Sequence, residues 1–384
     1  MTPRLGAAVW TVTAVPLIAG AAAPLQAEIP YFARKYRVAC SQCHVAPPKL
    51  NRFGEAFIAA GYQDPTLRPT GTWPFAVWIS ARSDTRPKGA AEDDVRAYLN
   101  RVEIISGGQV AAPWLSYFVE WRPLSQEGRA DGSLRDRAGR FEDLFLTATR
   151  GGAELTVGQF RQIAQVDVSR RIGLNEPLVL SSSLPGSGDG NAREVGLRAF
   201  SPAGRSPSVR LGWHRDLWEE ARWSTLVAVP FPGEFSIPLT AEARREASNE
   251  IEWNPKGVLV ETFVRMGLTS YGAHAFVDSG RHLAGAVATG NHGAVYWTGM
   301  VGWARSGVTR GRWSLEGEIF PAALRGLLGV GARAEDQGAD AVDPTLIPYL
   351  NAHFPGSRYT VRLTLEQRFQ SGRNATFLEL GTVF

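Results

Sequence analysis

Cysteine is nearly absent: the 384 residues contain two. No disulfide scaffold therefore holds the chain, and its stability must come from packing or from a closed sheet. Methionine occurs three times, and lysine only at Lys35, Lys49, Lys88 and Lys256. Arginine thus supplies nearly all of the 41 basic residues. A charge of one sign is lacking too. Against 37 acidic residues the net charge is +4, too small and too dispersed for nucleic-acid binding. After residue 27 no run approaches the roughly 20 apolar residues of a membrane-spanning helix, which excludes a helical membrane protein. There is no Walker-type loop, no dinucleotide fingerprint after a strand and no G-x-S-x-G nucleophile elbow. What is present is 44% apolar residue content, 41 glycines and 12 tryptophans, a folded and β-leaning composition.

The first 27 residues read as an address. Arg4 is followed by an uncharged stretch from Leu5 to Ala23, and Pro24-Leu25-Gln26-Ala27 offers a small residue at a cleavage point. Pro16, Gly20 and Pro24 make an uncleaved spanning anchor a poor alternative. The expected organisation is a signal peptide over 1–27, a small cysteine-bearing segment over 28–70 and a β-domain over 71–384.

Both cysteines lie in Cys40-Ser41-Gln42-Cys43-His44. A C-x-x-C-H run reads as covalent attachment of one c-type haem. Two thiols three residues apart add to the two haem vinyl groups, and the next residue offers its imidazole to the iron as proximal ligand. The competing reading, a redox-active C-x-x-C pair, lacks a thioredoxin-like βαβ pattern around it. From Leu50 the apolar positions Leu50, Phe53, Phe57 and Ile58 recur at three- and four-residue spacing, predicting a short amphipathic helix ended by Gly61. By about Pro69 the haem segment is spent. At that size it cannot enclose a haem, so another part of the chain must cover the ring.

The pattern Phe32-Ala33-Arg34, Cys40-x-x-Cys43-His44, Leu50-Asn51, Phe53-Gly54, Phe57 and Gly61-Tyr62 resembles the fused monohaem cytochrome–porins. In these outer-membrane proteins a small N-terminal cytochrome is joined to a β-barrel. The close resemblance covers about residues 30–62. It implies electron transfer across the outer membrane, with extracellular Fe(II) as a possible donor and a periplasmic cytochrome as redox partner. The distal iron ligand stays open. The segment after Glu28 has no methionine and no histidine besides His44. Candidates are Lys35, Tyr36 and Lys49, then His214, His274, His282, His292, His353, Met266 and Met300 downstream, or no ligand at all.

Beyond Gly71 short alternating segments recur, as in Val258–Met266, Trp313–Ile319 and Val361–Leu365. Period two means half-buried strands. Segments of roughly ten residues, apolar on one side and charged on the other, match the lipid-out, polar-in code of a membrane barrel. The fold class expected is mainly β: an outer-membrane antiparallel β-barrel of about 12–16 strands with a small N-terminal α-helical c-type haem segment. Trp73, Trp114, Trp121, Tyr296, Trp303 and Trp313 stand where interfacial girdles are required. The strand ending in Phe384 looks like a barrel assembly signal, and Val157-Gly158-Gln159-Phe160 like a porin strand end.

Residues 82–96, 122–140, 181–192 and 332–348 read as extracellular loops. Glu316 and Glu318 share one strand face and could line a cation path. Asp93-Asp94 and Glu219-Glu220 read as solvated loop charges. The expected function is single-electron transfer by a haem protein lodged in, or at the periplasmic mouth of, an outer-membrane barrel. The alternatives are a porin with a haem plug or sensor, and a peroxidase-like haem enzyme.

Overall fold

A computed structural model of the chain describes residues 31–383 apart from 162–204 and shorter breaks, among them 69–74, 86–94, 129–133 and 336–343. The signal-peptide residues, Trp73, Asp93-Asp94, the 181–192 loop, Glu219-Glu220 and Phe384 lie outside the described residues.

The N-terminal part is built from short pieces: α1 (Tyr31–Tyr36), a 3₁₀ turn at Cys40–Gln42, a hairpin of β1 (His44–Ala46) and β2 (Lys49–Leu50), and α2 (Arg52–Ala59). Asn51 starts α2 by accepting the Gly54 N–H on its side chain at 3.0 Å, as an N-cap should. The helix ends at Gly61, as its spacing predicts. The Tyr62 N–H reaches back to the Phe57 carbonyl and the Gly61 N–H to that of Ile58, both at 2.9 Å, with Gly61 at φ +73°. That is the Schellman pattern.

Most of the rest is one closed sheet. Its first half holds β3 (Ala76–Thr85), β4 (Val95–Gln109), β5 (Leu115–Gly128), β7 (Arg140–Arg150), β8 (Ala153–Arg161), β9 (Arg205–Arg215), β10 (Ala221–Pro230) and β11 (Val258–Met266). Its second half holds β12 (Thr269–Val277), β13 (His282–His292), β14 (Val295–Ser306), β15 (Val308–Ile319), β16 (Leu328–Glu335), β17 (Thr345–Pro355), β18 (Thr360–Arg368) and β19 (Ala375–Val383). Each pairs antiparallel with the next. β19 returns to β3 through Leu380↔Ala81 and its neighbours, closing a barrel of 16 strands. The remaining strand, β6 (Leu134–Asp136), pairs only with the end of β5, Gln126 facing Asp136.

This corrects the reading of 122–140 as a loop. β5 runs on to Gly128, and its return through β6 is laddered. Strands raised above the barrel need no apolar face, so their Arg- and Asp-rich sequence imitates a loop. Residues 82–96 and 332–348 likewise begin and end inside strands.

The side-chain alternation holds. On β11, Val258, Val260 and Met266 are exposed while Leu259, Glu261 and Phe263 are buried. On β15, Trp313, Leu315 and Ile319 face out and Ser314, Glu316 and Glu318 face in. Exposed tryptophans stand toward both ends of the wall, Trp114, Trp213 and Trp223 toward one and Trp303 toward the other, while Trp313 faces out from the middle of β15. Tyr296 does not join them. It is 4% exposed and inside the barrel, because its parity on β14 is opposite to that of the outward Val295, Val301 and Trp303.

The two ends differ. Turns of two residues join β7 to β8, β11 to β12 and β13 to β14 at one end. The connections 86–94, 129–139, 162–204 and 231–257 all fall at the other.

Candidate functional site

Local geometry holds the C-x-x-C-H turn through one residue, Asn51. Its backbone N–H donates to the Cys43 carbonyl at 2.9 Å, and its side-chain amide donates to the carbonyls of Ser41 and Gln42, each at 3.0 Å. The same side chain caps α2, so the turn and the helix share a hinge pin. Gly54, in the first turn of α2, lies against the motif: a Cβ there would sit 2.2 Å from the Cys43 carbonyl oxygen. Only glycine permits that approach. Cys40 and Cys43 are not joined in a disulfide. Burial, then the neighbouring Cys40 and Asp64, push the Cys43 thiol up to about 11. Two cysteines not joined in a disulfide, on one rigid turn and followed directly by His44, make a donor set that fits a covalently attached c-type haem.

The segment carrying this turn sits inside the short-turn mouth of the barrel and touches three sectors of its wall. Aromatic packing makes the first. Tyr62 stacks on Phe118 of β5 with ring centroids 4.7 Å apart and on Phe32 at 5.3 Å, both nearly parallel, and Phe145 of β7 lies 6.3 Å away. Tyr62 has φ +61°, an unusual conformation for a bulky side chain, which costs about 1–2 kcal/mol. The double stack offsets it, each aromatic pair adding about 0.5–1.5 kcal/mol beyond area burial. Nearby, Lys35 donates to the Gly107 carbonyl of β4 at 3.4 Å, and burial lowers its pKa.

Ion pairs make the other two sectors. Glu55 of α2 meets Arg265 of β11 and, at 3.7 Å, Arg222 of β10. Lys49 of β2 donates to Glu318 of β15 at 2.7 Å and lies 4.8 Å from the ring of Tyr296. Val45 packs against the Tyr296–Phe320–Tyr349 cluster beside it. β5 and β14 stand half the circumference apart in the strand order, so the segment bridges the mouth from wall to wall. All these partners lie within a few residues of the short turns.

The Glu316 and Glu318 expectation changes accordingly. Both are lumen-facing and almost fully buried, but Glu318 holds Lys49 while Glu316 accepts from the Tyr349 hydroxyl at 2.7 Å, with Arg333 at 3.8 Å. They fix side chains rather than line open water. The candidate ligands separate as well. Met266 is exposed on the outer face, and His282 and His292 are exposed at strand ends. His214 is bound at both nitrogens, to Ser224 at 2.8 Å and to Glu154 at 2.7 Å. Met300 is buried in the barrel among Leu259, Phe276 and Val287.

No protein-family model and no curated protein sequence matches the chain. Among solved structures it is similar to outer-membrane barrels. Salmonella typhi OmpF in complex with daunomycin aligns at 10% identity, TM-score 0.49, over 81% of this chain and 97% of that one. A mutant Rh. blastica porin aligns at 11% identity, TM-score 0.46, over 81% and 99%. The outer-membrane channel DcaP of Acinetobacter baumannii aligns at 12%, TM-score 0.46, over 81% and 96%. The closed ladder of paired strands is what establishes the barrel.

Away from the mouth, the lumen on β4, β5, β7 and β9 is ionic. Glu103 accepts from Arg122 at 2.9 Å. Arg122 pairs with Glu142 at 2.9 Å, and Arg205 with Glu142 at 3.0 Å and Asp143 at 3.1 Å. Sequence alternation predicted charges of both signs on this face. It gave no sign of which would meet, nor that Phe118, Phe145, Arg222 and Arg265 would receive the N-terminal segment.

Proposed function

We propose that this porin-like barrel is an outer-membrane protein that carries one covalent c-type haem in its short-turn mouth and passes single electrons across the membrane. The observation that carries the reading is the C-x-x-C-H turn, clamped by Asn51 and Gly54 and held inside a closed barrel by contacts on three wall sectors. The exposed apolar outer face with tryptophans at both ends suits a lipid surround. Short turns face the periplasm in such barrels, which supports the periplasmic side for the haem segment.

Cys40 and Cys43 would anchor the group and His44 would ligate its iron. The group supplies reversible one-electron Fe(II)/Fe(III) chemistry when bound. The chain's own part is burial, axial ligation and nearby charge. The wall insulates the site from lipid, α2 and the Tyr62 stack fix the turn, and the ionic lumen above it gives small cations a polar route. A periplasmic cytochrome is the partner proposed for the short-turn side and extracellular Fe(II) the donor proposed for the loop side.

An absorption spectrum of the detergent-extracted outer-membrane fraction tests this. A c-type spectrum that reduces on adding Fe(II) supports the whole reading. One that responds to dithionite alone discards the iron donor and keeps the cytochrome. Absence of covalent haem leaves the second reading, a solute channel stoppered by its own N-terminal segment. The charge-lined lumen of β4 to β9 favours that alternative. Solute flux in liposomes, unchanged in a Cys40→Ala, Cys43→Ala variant, would establish it.

A further inference from the structure

Rings stand on the lumen wall where a barrel interior is ordinarily polar. They form one connected column. The helix α2, whose Gly54 lies against the Cys43 carbonyl, carries Phe57 in its next turn, with Phe32 of α1 at 5.2 Å from that ring. Phe32 stacks on Tyr62 at 5.3 Å and Tyr62 on Phe118 at 4.7 Å. From there the column continues on the wall, Phe118 to Phe145 at 5.7 Å and Phe145 to Phe160 at 5.8 Å. Every one of these centroid spacings falls within the range of interacting ring pairs.

The column climbs away from the mouth. Counted from the short-turn end, Phe118 is the fourth residue of β5 and Phe160 the eighth of β8. Phe118 faces Phe145 across the β5–β7 ladder, Phe145 faces Gly158, and Phe160 lies two residues beyond. It pairs with Ser206, one step short of the loop-side end of β8. Docking of the segment accounts for Phe118 and Phe145, whose rings meet Tyr62, but not for Phe160. That ring is inward, in step with the buried Glu154 and Thr156, and it meets Phe145 and the Arg210 guanidinium, 4.7 Å from its centre. At 3% exposure it is too covered to serve a passing solute. Tyr62 makes the joint between segment and wall from its left-handed conformation, a kind of strain that gathers at functional positions.

We propose that this column, from Phe57 through Phe32, Tyr62, Phe118 and Phe145 to Phe160, is the electron path between the haem segment and the loop side of the barrel. The inference rests on the haem reading above. A haem at one mouth and a donor at the other leave the height of the barrel to be crossed, and packed rings couple the two sides more strongly than a polar lumen does. One electron moves. Fe(II) on the loop side becomes Fe(III), and the haem iron passes from Fe(III) to Fe(II). The rings are neither oxidised nor reduced, and the Tyr62 hydroxyl keeps its proton.

The test uses the full chain, matured with haem and purified in detergent, with a ruthenium–bipyridine photosensitiser on the thiol of Ile237→Cys. Ile237 is 56% exposed, on the loop-side connection whose Phe235 N–H donates to the side chain of Gln159, the residue before Phe160. The native thiols are taken up by the haem, so the new one alone accepts the label. Flash photolysis then reads electron transfer between label and haem with no substrate turned over. Phe160→Leu and Phe145→Leu should each slow it by an order of magnitude, while the absorption spectrum, the midpoint potential and the protease resistance of the segment stay as in wild type. Phe276→Leu, outside the column on β12, should leave the rate unchanged. Wild-type rates in both ring variants overturn the path and leave the haem reading intact. So does a slowing that comes only with a shifted potential or a released segment. Wild-type protein lacking covalent haem overturns both readings. Should Phe145→Leu not fold, Phe160→Leu, beyond the reach of the segment, must slow the transfer by itself, or the path fails.

Discussion

The N-terminal segment meets one wall of the barrel through rings and the other through charges. On β5 and β7, Tyr62 stacks into Phe118 and Phe145; toward β10–β11 and β14–β15, Glu55 and Lys49 enter buried ion pairs. The difference teaches what each contact is for. Stacked rings tolerate small sliding and ignore salt. A buried charge pair tolerates neither loss nor exchange of a partner, since the survivor is stranded in a poorly hydrated place. The ionic side therefore fixes the orientation of the turn, while the aromatic side holds Tyr62 between the rings of Phe32 and Phe118.

The largest effect is expected from Glu318→Ala, which leaves Lys49 buried against Tyr296 without its carboxylate. Breaking a buried pair costs about 3–5 kcal/mol, enough to release the segment from the far wall while the barrel persists. Limited proteolysis between α1 and β3 would show it, and an unchanged cleavage rate would mean the pair holds nothing. Phe118→Ala should cost about 2 kcal/mol through the lost stack and partial burial. Its effect should be the same at low and high salt, unlike that of Glu55→Gln, and hydrogen exchange of the 52–62 amides at two ionic strengths measures both. Asn51→Ala should cost about 1 kcal/mol through the lost cap, and it should also slow haem attachment, because it frees the Ser41 and Gln42 carbonyls together.

A smaller effect is expected with pH. In haem-free protein the Cys43 thiol is raised to about 11 by burial, so docking favours the protonated form. That contribution is complete below about pH 8.5, where an unfolded thiol is also protonated, and is lost as pH rises toward 11. Segment release followed from pH 8 to 11 should therefore increase in wild-type apoprotein and flatten in Cys43→Ala. Least of all, Arg52→Ala, at an exposed contact with the Trp218 carbonyl, should change docking by less than about 0.5 kcal/mol.

Much of the architecture was legible in the chain. Alternation marked Val258–Met266 and Trp313–Ile319 as strands with the correct outward face, because lipid and lumen impose opposite demands on neighbouring residues. Strand number was bounded rather than fixed, since weakly patterned strands such as β12 carry Gly272 and Phe276 where polar residues would mark a face. Tyr296 was misplaced among the girdles because position near a strand end does not reveal parity. In the site, α2, its cap at Asn51 and its stop at Gly61 follow from local spacing. The docking partners do not. Lys49 and Glu318 are 269 residues apart, and no local signal connects them.

That separation sets an order of events. Lys35 finds the Gly107 carbonyl 72 residues away, Glu55 finds Arg265 at 210, and Lys49 finds Glu318 at 269. Loop closure grows costlier only logarithmically, by about 1 kcal/mol from the first to the last, so entropy alone hardly ranks them. Availability does. The near wall exists once the first few strands have paired, whereas Glu318 is in place only when β15 has joined the sheet. A segment locked at both walls thus certifies a nearly finished barrel, and an unfinished one keeps its N-terminal turn loose and open to quality control.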